Sequence, residues 1–326
     1  MDYVVRLWMT STKCTLILIR GYHLKRIRFD LAYPPAKSLS NQTLFPSLKS
    51  SMQNLEIISH PPAGPAKPTP LLFVHGAFCG AWIWAEKFLP WFAARGYEVH
   101  AVSLRGHGRS GGRRSLHNYG IDDYVDDVLK AAERCSAPPV LVGHSMGGMV
   151  VQRALVNGHH LPGGVLMASA PPHGLLASTM GLAWRDPYVF QQMSKMMMFG
   201  TEAMGFEALY RAMFSDSMPR DEAARFEDRV QEESRRVLMD IGGWIPFPPL
   251  PKRKLPVLVL GAEKDLLFPP DQVHATAWAF GTDATFFPDM GHSMMLQPGW
   301  ESVARHIDSW VDDNFAAQPK TAQAAD

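Results

Sequence analysis

Gly143-His144-Ser145-Met146-Gly147 sets a serine between small neighbours, directly after an apolar run at 140–142 and directly before a helical pattern at 146–156. A Gly-x-Ser-x-Gly at a strand-to-helix turn strains the serine backbone and lifts its hydroxyl clear of the sheet. The helix that follows aims its first N–H groups and the positive end of its dipole at the same place, where a developing oxyanion would sit. A serine hydroxyl is a weak nucleophile until a base removes its proton, so this reading demands a histidine and a carboxylate to orient it. Both follow in the chain: Asp265 in Gly261-Ala262-Glu263-Lys264-Asp265 and His292 in Pro288-Asp289-Met290-Gly291-His292. Asp265 lies beyond the end of an apolar run, where a loop can reach His292; Glu263 and Asp289 compete for the same part. An oxyanion hole needs two N–H donors. Met146, just after the serine, supplies one; Ala77 in His75-Gly76-Ala77-Phe78 is the expected second, with Phe78 as the other choice. His75 is expected to brace that loop.

These residues need a scaffold. From residue 70 onward, short apolar runs at 71–74, 97–104, 139–142, 164–168, 255–260 and 284–287 alternate with helical segments at 84–95, 121–134, 146–156, 270–280 and 298–315. Such alternation predicts crossover units and a mainly parallel sheet covered on both faces. Between 168 and 255 the rhythm lapses into helical patterning alone, which predicts an inserted helical lid at 171–250. Nine of the eighteen methionines fall there, expected chiefly as packing for the lid, although flexible Met side chains also suit varied apolar ligands. A first strand is expected after Met52, which is also the expected physiological start. The core is thus assigned to 52–170 and 251–315, a basic, poorly ordered extension to 1–51 and a disordered tail to 316–326. A Pro-rich stretch at 61–70 serves as a linker.

Composition narrows the function. At 326 residues, 46% hydrophobic and 19% charged, the chain has material for a large core. The formal net charge of +1 gives no field for wrapping nucleic acid, although residues 1–51 carry eight Lys or Arg against two Asp. Three cysteines without a C-x-x-C suggest neither a disulfide framework nor a zinc cage, and a reducing, cytoplasmic setting is expected. No apolar run approaches the roughly 18 residues of a membrane-spanning helix. Arg105, Arg109, Arg113 and Arg114, with His107, form a Gly-rich basic loop expected to be a solvated turn. Trp82, Trp84, Trp184 and the run 244–247 are candidates for an aromatic pocket. Cys79 reads as a simple buried thiol.

With these pieces assembled, residues 71–315 resemble an α/β-hydrolase-fold serine hydrolase of the esterase and lipase type. The resemblance is carried by His75-Gly76, Arg105-Gly106-His107-Gly108-Arg109-Ser110, the serine turn, the segment 261–265 and Gly291-His292, and by the chain order Ser, Asp, His. It implies an eight-stranded type of α/β fold, a mostly parallel central sheet flanked by helices with an inserted lid. His75 to Trp82 is also similar to the opening of the plant methylesterase and hydroxynitrile lyase branch. The lyases of that branch have Thr where Gly76 stands and Lys where Ser293 stands, so cyanohydrin cleavage is not expected. Ser145 in place of Asp argues against dehalogenase or epoxide hydrolase chemistry. Ser103 stands where many members have Asp.

The expected activity is cleavage of a carboxylic ester, or a related acyl bond, of a small to medium hydrophobic molecule through an acyl-enzyme. Ser145, Asp265 and His292 carry it, Ala77 and Met146 hold the oxyanion, and no metal or cofactor takes part. The other functions weighed are acyl transfer, C–C bond hydrolysis or cofactor-free peroxidase chemistry on the same residues, and a non-catalytic ligand-binding protein on this fold. The expected partner is the ester-like small molecule, with no nucleic acid and no integral membrane segment.

Overall fold

The computed structural model describes residues 4–10, 13–20, 23–30, 54–157, 159–244 and 255–315, with the backbone course alone given for 4–30 and 243–244. The tail 316–326, the run 245–247 and the end of the expected lid lie outside the described residues. The chain divides into two units, at 1–51 and 52–326.

In the first unit, β1 (Val4–Thr10), β2 (Lys13–Arg20) and β3 (His23–Asp30) form an antiparallel sheet in that order. The sequence reading gives this segment no regular structure. The strands follow from runs such as Leu16-Ile17-Leu18-Ile19, whose branched side chains suit an extended backbone. Two-residue connections pair Thr10 with Lys13 and Arg20 with His23.

In the second unit a sheet of seven strands runs in the order β10-β9-β8-β7-β5-β6-β4. Its members are β4 (Ile57–His60), β5 (Leu71–Val74), β6 (Val99–Val102), β7 (Val140–His144), β8 (Gly164–Met167), β9 (Val257–Ala262) and β10 (Ala284–Phe287). Only β4 is antiparallel to its neighbour; all other pairs are parallel. An eight-stranded sheet is the expectation, and the described residues hold seven. The central strands are buried along their whole length, as continuous apolar runs require.

Alternation along β5 shows how the core divides. Leu71 and Phe73 face one layer, with α1 (Trp82–Ala85), α2 (Phe88–Ala93) and α11 (Trp300–Phe315). Leu72 and Val74 face the other, with α3 (Ile121–Ala132), α4 (Met146–Val156) and α10 (Pro270–Phe280). The segment expected as one helix at 84–95 is split into α1 and α2, because Pro90 has no N–H to offer the preceding turn and is tolerated only near a helix start.

The chain passes from β5 to β6 on one side and then crosses to β7 on the other. That reversal opens a crevice at the carboxyl ends of β5 and β7, the usual place for a ligand in an open α/β sheet. Between β8 and β9 the described insertion comprises α5 (Leu176–Arg185), α6 (Pro187–Phe199), α7 (Phe206–Met213), α8 (Arg220–Ala224) and α9 (Arg235–Met239). Its methionines divide: Met196 and Met218 are buried, while Met180, Met197, Met198 and Met239 are exposed.

Candidate active site

Ser145 sits between β7 and α4 with φ 54° and ψ −120°, a left-handed backbone that costs a non-glycine residue of order 1–3 kcal/mol and persists only where its surroundings enforce it. Those surroundings are visible. The Ser145 N–H donates to the Met167 carbonyl at 3.1 Å, and the Ser145 carbonyl accepts from Gly148 and Ala170 at 3.0 Å each. A side chain at Gly147 would overlap the carbonyls of Val74 and His75, so only glycine lets α4 lie against the end of β5. A Cβ on Gly76 would lie 3.0 Å from the Cβ of Ser145, which puts the serine side chain against the loop that leaves β5.

That loop and the start of α4 carry the expected oxyanion donors. Met146 opens α4, so its N–H has no acceptor within the helix. Ala77 is half-buried, and its N–H donates to no described backbone or side-chain group. Phe78, the other choice, has its N–H engaged by Glu233 Oε2 at 3.3 Å. His75 is fully buried and braced on both sides: Nδ1–H donates to the Gly76 carbonyl at 2.7 Å and Nε2 accepts from the Leu104 N–H at 3.0 Å. Burial, with the nearby charge of His107, pushes its pKa down to about 3. His75 is therefore a neutral brace and no base.

The histidine and carboxylate expected to serve Ser145 are together. His292 Nδ1 lies 2.8 Å from Asp265 Oδ2, both groups being buried. The second carboxylate oxygen, Oδ1, accepts from the Leu267 and Phe268 N–H groups at 2.8 and 2.9 Å, so Asp265 is fixed by the turn that follows β9. Glu263 and Asp289, the competitors, are exposed. His144, next to the serine, reaches the His292 loop: its Nε2–H donates to the His292 carbonyl at 3.0 Å and the two rings stand 4.7 Å apart. Burial first, and then the neighbouring His292, hold the His144 pKa well below its ordinary value, so it stays neutral and acts as a donor. The Ser145 hydroxyl forms no hydrogen bond among the described residues. Such bonds are often long before substrate binds.

The insertion reaches the site at two points that the sequence does not single out. At the first, the Ser293 N–H donates to the Met213 carbonyl at 2.7 Å, and buried Gln297 accepts from the N–H groups of Ser215 and Gly291 at 3.2 and 3.1 Å. At the second, Glu233 is buried beneath the loop of Phe78. It accepts from the Tyr124 hydroxyl at 2.6 Å and from the Ser234 N–H at 2.6 Å. His107 Nε2 lies 3.1 Å from its other oxygen, at ion-pair distance but off the line of a hydrogen bond. Burial opposes charge on both partners. Their mutual attraction, together with the bonds from Tyr124 and the Ser234 N–H to Glu233 and from His107 to the Arg105 carbonyl, outweighs it, holding Glu233 below and His107 above their ordinary values.

The remaining candidates fall on both sides of expectation. The basic loop is not uniformly solvated. The side chain of Arg109 is 87% exposed, whereas Arg105 is buried and bridges Asp127 at 2.7 Å and Asp123 at 2.8 Å, tying the loop to α3. Ser103 shares a carboxylate brought from elsewhere: its hydroxyl donates to Glu56 at 2.7 Å and accepts from the Ala81 N–H at 2.9 Å. The Cys79 thiol is pushed up to about 12, by burial first and then by Glu233. Among the tryptophans, Trp84 is core, Trp184 is 88% exposed, and Trp82 lines a pocket. That narrow pocket lies against His144 and is walled by Trp82, Met213, Phe214, Phe226 and Met295. Its wall is apolar, drawn from both core and insertion. Glu98, His100 and Cys135 form a cluster of metal-ligand types away from this site, but every hydrogen-bonding atom of the His100 ring is engaged by Ser59 and Glu98.

Known proteins share this fold. Residues 71–301 match the family model described as "Alpha/beta hydrolase family". A monoacylglycerol lipase of Mycolicibacterium smegmatis is 35% identical over 107 residues, covering 26% of this chain and 38% of that protein. A non-heme chloroperoxidase of Streptomyces lividans is 35% identical over 114 residues, covering 33% and 40%. The matched stretch is thus about two fifths of the length of either relative. The solved structure of an esterase from Exiguobacterium antarcticum superposes with a TM-score of 0.64 at 18% identity, covering 80% of this chain and 96% of that one. The matched family model extends from the start of β5 into α11, and on that ground the chain belongs to the alpha/beta hydrolase family.

Proposed function

We propose that the protein is a serine hydrolase that cleaves a carboxylic ester, or a related acyl bond, of a small to medium hydrophobic molecule. The observation that carries this reading is the His292–Asp265 hydrogen bond at 2.8 Å beside the strained Ser145 turn. In the proposed reaction Ser145 Oγ attacks the carbonyl carbon while His292 Nε2 takes its proton. Asp265 holds Nδ1–H, so that Nε2 is the free base, and stabilises the imidazolium that forms. The carbonyl oxygen becomes an oxyanion between the Ala77 and Met146 N–H groups, and each such donor lowers the barrier by about 3 kcal/mol. The imidazolium returns its proton to the leaving alcohol and leaves an acyl-serine. Water deprotonated by His292 then releases the acid and restores the serine. The apolar pocket walled by Trp82, Met213 and Phe226 favours an uncharged acyl or alcohol group over a polar peptide.

The test is a chain-length series of p-nitrophenyl esters on wild type and Ser145→Ala, with a fluorophosphonate probe on both proteins. Turnover and labelling are expected in wild type and absent in the variant; equal turnover in the two proteins overturns the mechanism. The likeness to a chloroperoxidase favours a second reading: hydrogen peroxide replaces water in the last step, its oxygen bonds to the acyl carbon as the Ser145 Oγ–acyl bond breaks, and a peroxy acid leaves. Peroxide that raises halide oxidation without diverting acyl product from acid to peroxy acid would exclude it.

A further inference from the structure

We infer that Glu233, supplied by the insertion, is a positioning residue that holds the Ala77 oxyanion donor in place through the backbone of Phe78. The inference rests on the serine hydrolase reading and adds to it a specific coupling between insertion and oxyanion hole.

Phe78 has φ 63°, left-handed for a residue with a bulky side chain, a state that lasts only where neighbouring bonds over-determine it. The bonds that do so come from the insertion. Glu233 takes the Phe78 N–H, and the Gln231 N–H donates to the Phe78 carbonyl at 3.0 Å. The Gln231 side-chain amide also donates to the Cys79 carbonyl. Two residues of one short segment therefore clasp consecutive peptide groups of the loop, one residue beyond Ala77. Freed from them, Phe78 relaxes toward ordinary φ and turns the Ala77–Phe78 peptide; Ala77 must follow at its own φ and ψ, and its N–H, one peptide further back, swings off the oxyanion. An error of about 1 Å in such a donor can cost about 100-fold in rate.

Glu233 is built to do this without opposing catalysis. Its carboxylate is fully buried, and an uncompensated anion beside the oxyanion loop would repel the charge that forms there. His107, at 3.1 Å, supplies the opposite charge and is itself held by the Arg105 carbonyl at Nδ1. Tyr124 from α3 fixes the other carboxylate oxygen. The clasp is therefore neutral overall and anchored to the core on both sides.

The experiment compares wild type, Ser145→Ala, Glu233→Leu, Glu233→Gln and Gln231→Ala for the rate of fluorophosphonate labelling, kcat and KM on a p-nitrophenyl ester, with circular dichroism to verify folding. Labelling of wild type but not of Ser145→Ala keeps the underlying reading in place, and its failure sinks that reading by itself. Given that result, Glu233→Leu is expected to lower labelling and kcat about 30- to 100-fold with KM within about twofold. Glu233→Gln, which keeps an acceptor for the Phe78 N–H, recovers part of the loss. Gln231→Ala loses about 3- to 10-fold. A folded Glu233→Leu protein that labels at the wild-type rate overturns the inference. If both Glu233 variants fail to fold, Gln231→Pro, which also removes the N–H that holds the Phe78 carbonyl, decides, and an unchanged labelling rate in it counts as refutation.

Discussion

The carboxyl edge of the sheet and the helical insertion meet at one site, yet they are built on different principles. At the sheet edge each group is fixed by turns and adjoining strand ends: Ser145 by the turn into α4 and by Met167 and Ala170 at and just past the end of β8, Asp265 by the N–H groups two and three residues on. The insertion contributes through single buried polar groups, Glu233 under the oxyanion loop and the Met213–Ser215 backbone against the loop of His292. Local fixing gives a precise site that a folded sheet provides automatically. Contacts with the insertion make the same site depend on how that segment is seated.

The largest effect should come from the sheet edge. Asp265→Asn keeps the shape of the side chain and leaves the turn bonds to Leu267 and Phe268 with an acceptor, but offers His292 Nδ1 a group that no longer favours the correct tautomer. A loss of about 10⁴ in kcat is expected, with the melting temperature little changed. A loss below about tenfold in a p-nitrophenyl ester assay would show that His292 is oriented by something else.

On the insertion side the largest effect should be on stability. Replacing one partner of a buried ion pair typically costs about 3–5 kcal/mol, and Glu233→Gln does this to His107. The dependence on pH has a defined sign. Glu233 has its folded value lowered, so its contribution is complete above about 4.5 and fades as pH falls through that lowered value. His107 has its folded value raised, so its contribution is complete below about 6.5 and fades as pH climbs through the raised value. The gap in urea midpoint between wild type and Glu233→Gln should therefore be widest between about pH 4.5 and 6.5. A gap that stays constant from acid to alkaline pH would mean that the pair carries no charge in the fold.

The same contrast explains what could be read from the sequence. Ser145, Asp265 and His292 were legible because the chemistry dictates their types and order, and because strand and helix patterns place each one at a loop after a strand. The strands are legible as apolar runs, and α1 and α2 read as one helix because the apolar pattern continues across Pro90. Glu233 and Gln297 carried no such signal. Their partners lie far off, Phe78 at a separation of 155 residues and Ser215 at 82, and a lone Glu or Gln in a polar helical stretch looks solvated until the fold buries it. His144 was quoted only as part of the serine motif, since nothing in its neighbours announces a bond to the carbonyl of His292.

Gln297→Leu sharpens the comparison at smaller scale. The side chain is fully buried and gives or takes bonds with Gly291 on one side and Ser215 on the other, so it joins the loop of His292 to the insertion. Removing it strands the Gly291 and Ser215 N–H groups in the interior, at about 1–3 kcal/mol. A chemical denaturation curve that moves by less than about 0.5 kcal/mol would show that the two regions are seated independently at this point.

The smallest effect is expected where the insertion faces outward. Trp184 is 88% exposed at the end of α5, and Met180 and Leu176 stand four and eight residues before it on the same helical face. A side chain with so little buried area has almost nothing to lose, so Trp184→Ser should shift stability by no more than about 0.5 kcal/mol and leave ester turnover as it was. A loss of turnover with unchanged stability would place this face in the path of the substrate and extend the functional part of the insertion well beyond the segment 231–234. An unchanged rate would confine its role to the few polar groups that touch the sheet edge, and the division between a locally built site and its distant props would stand.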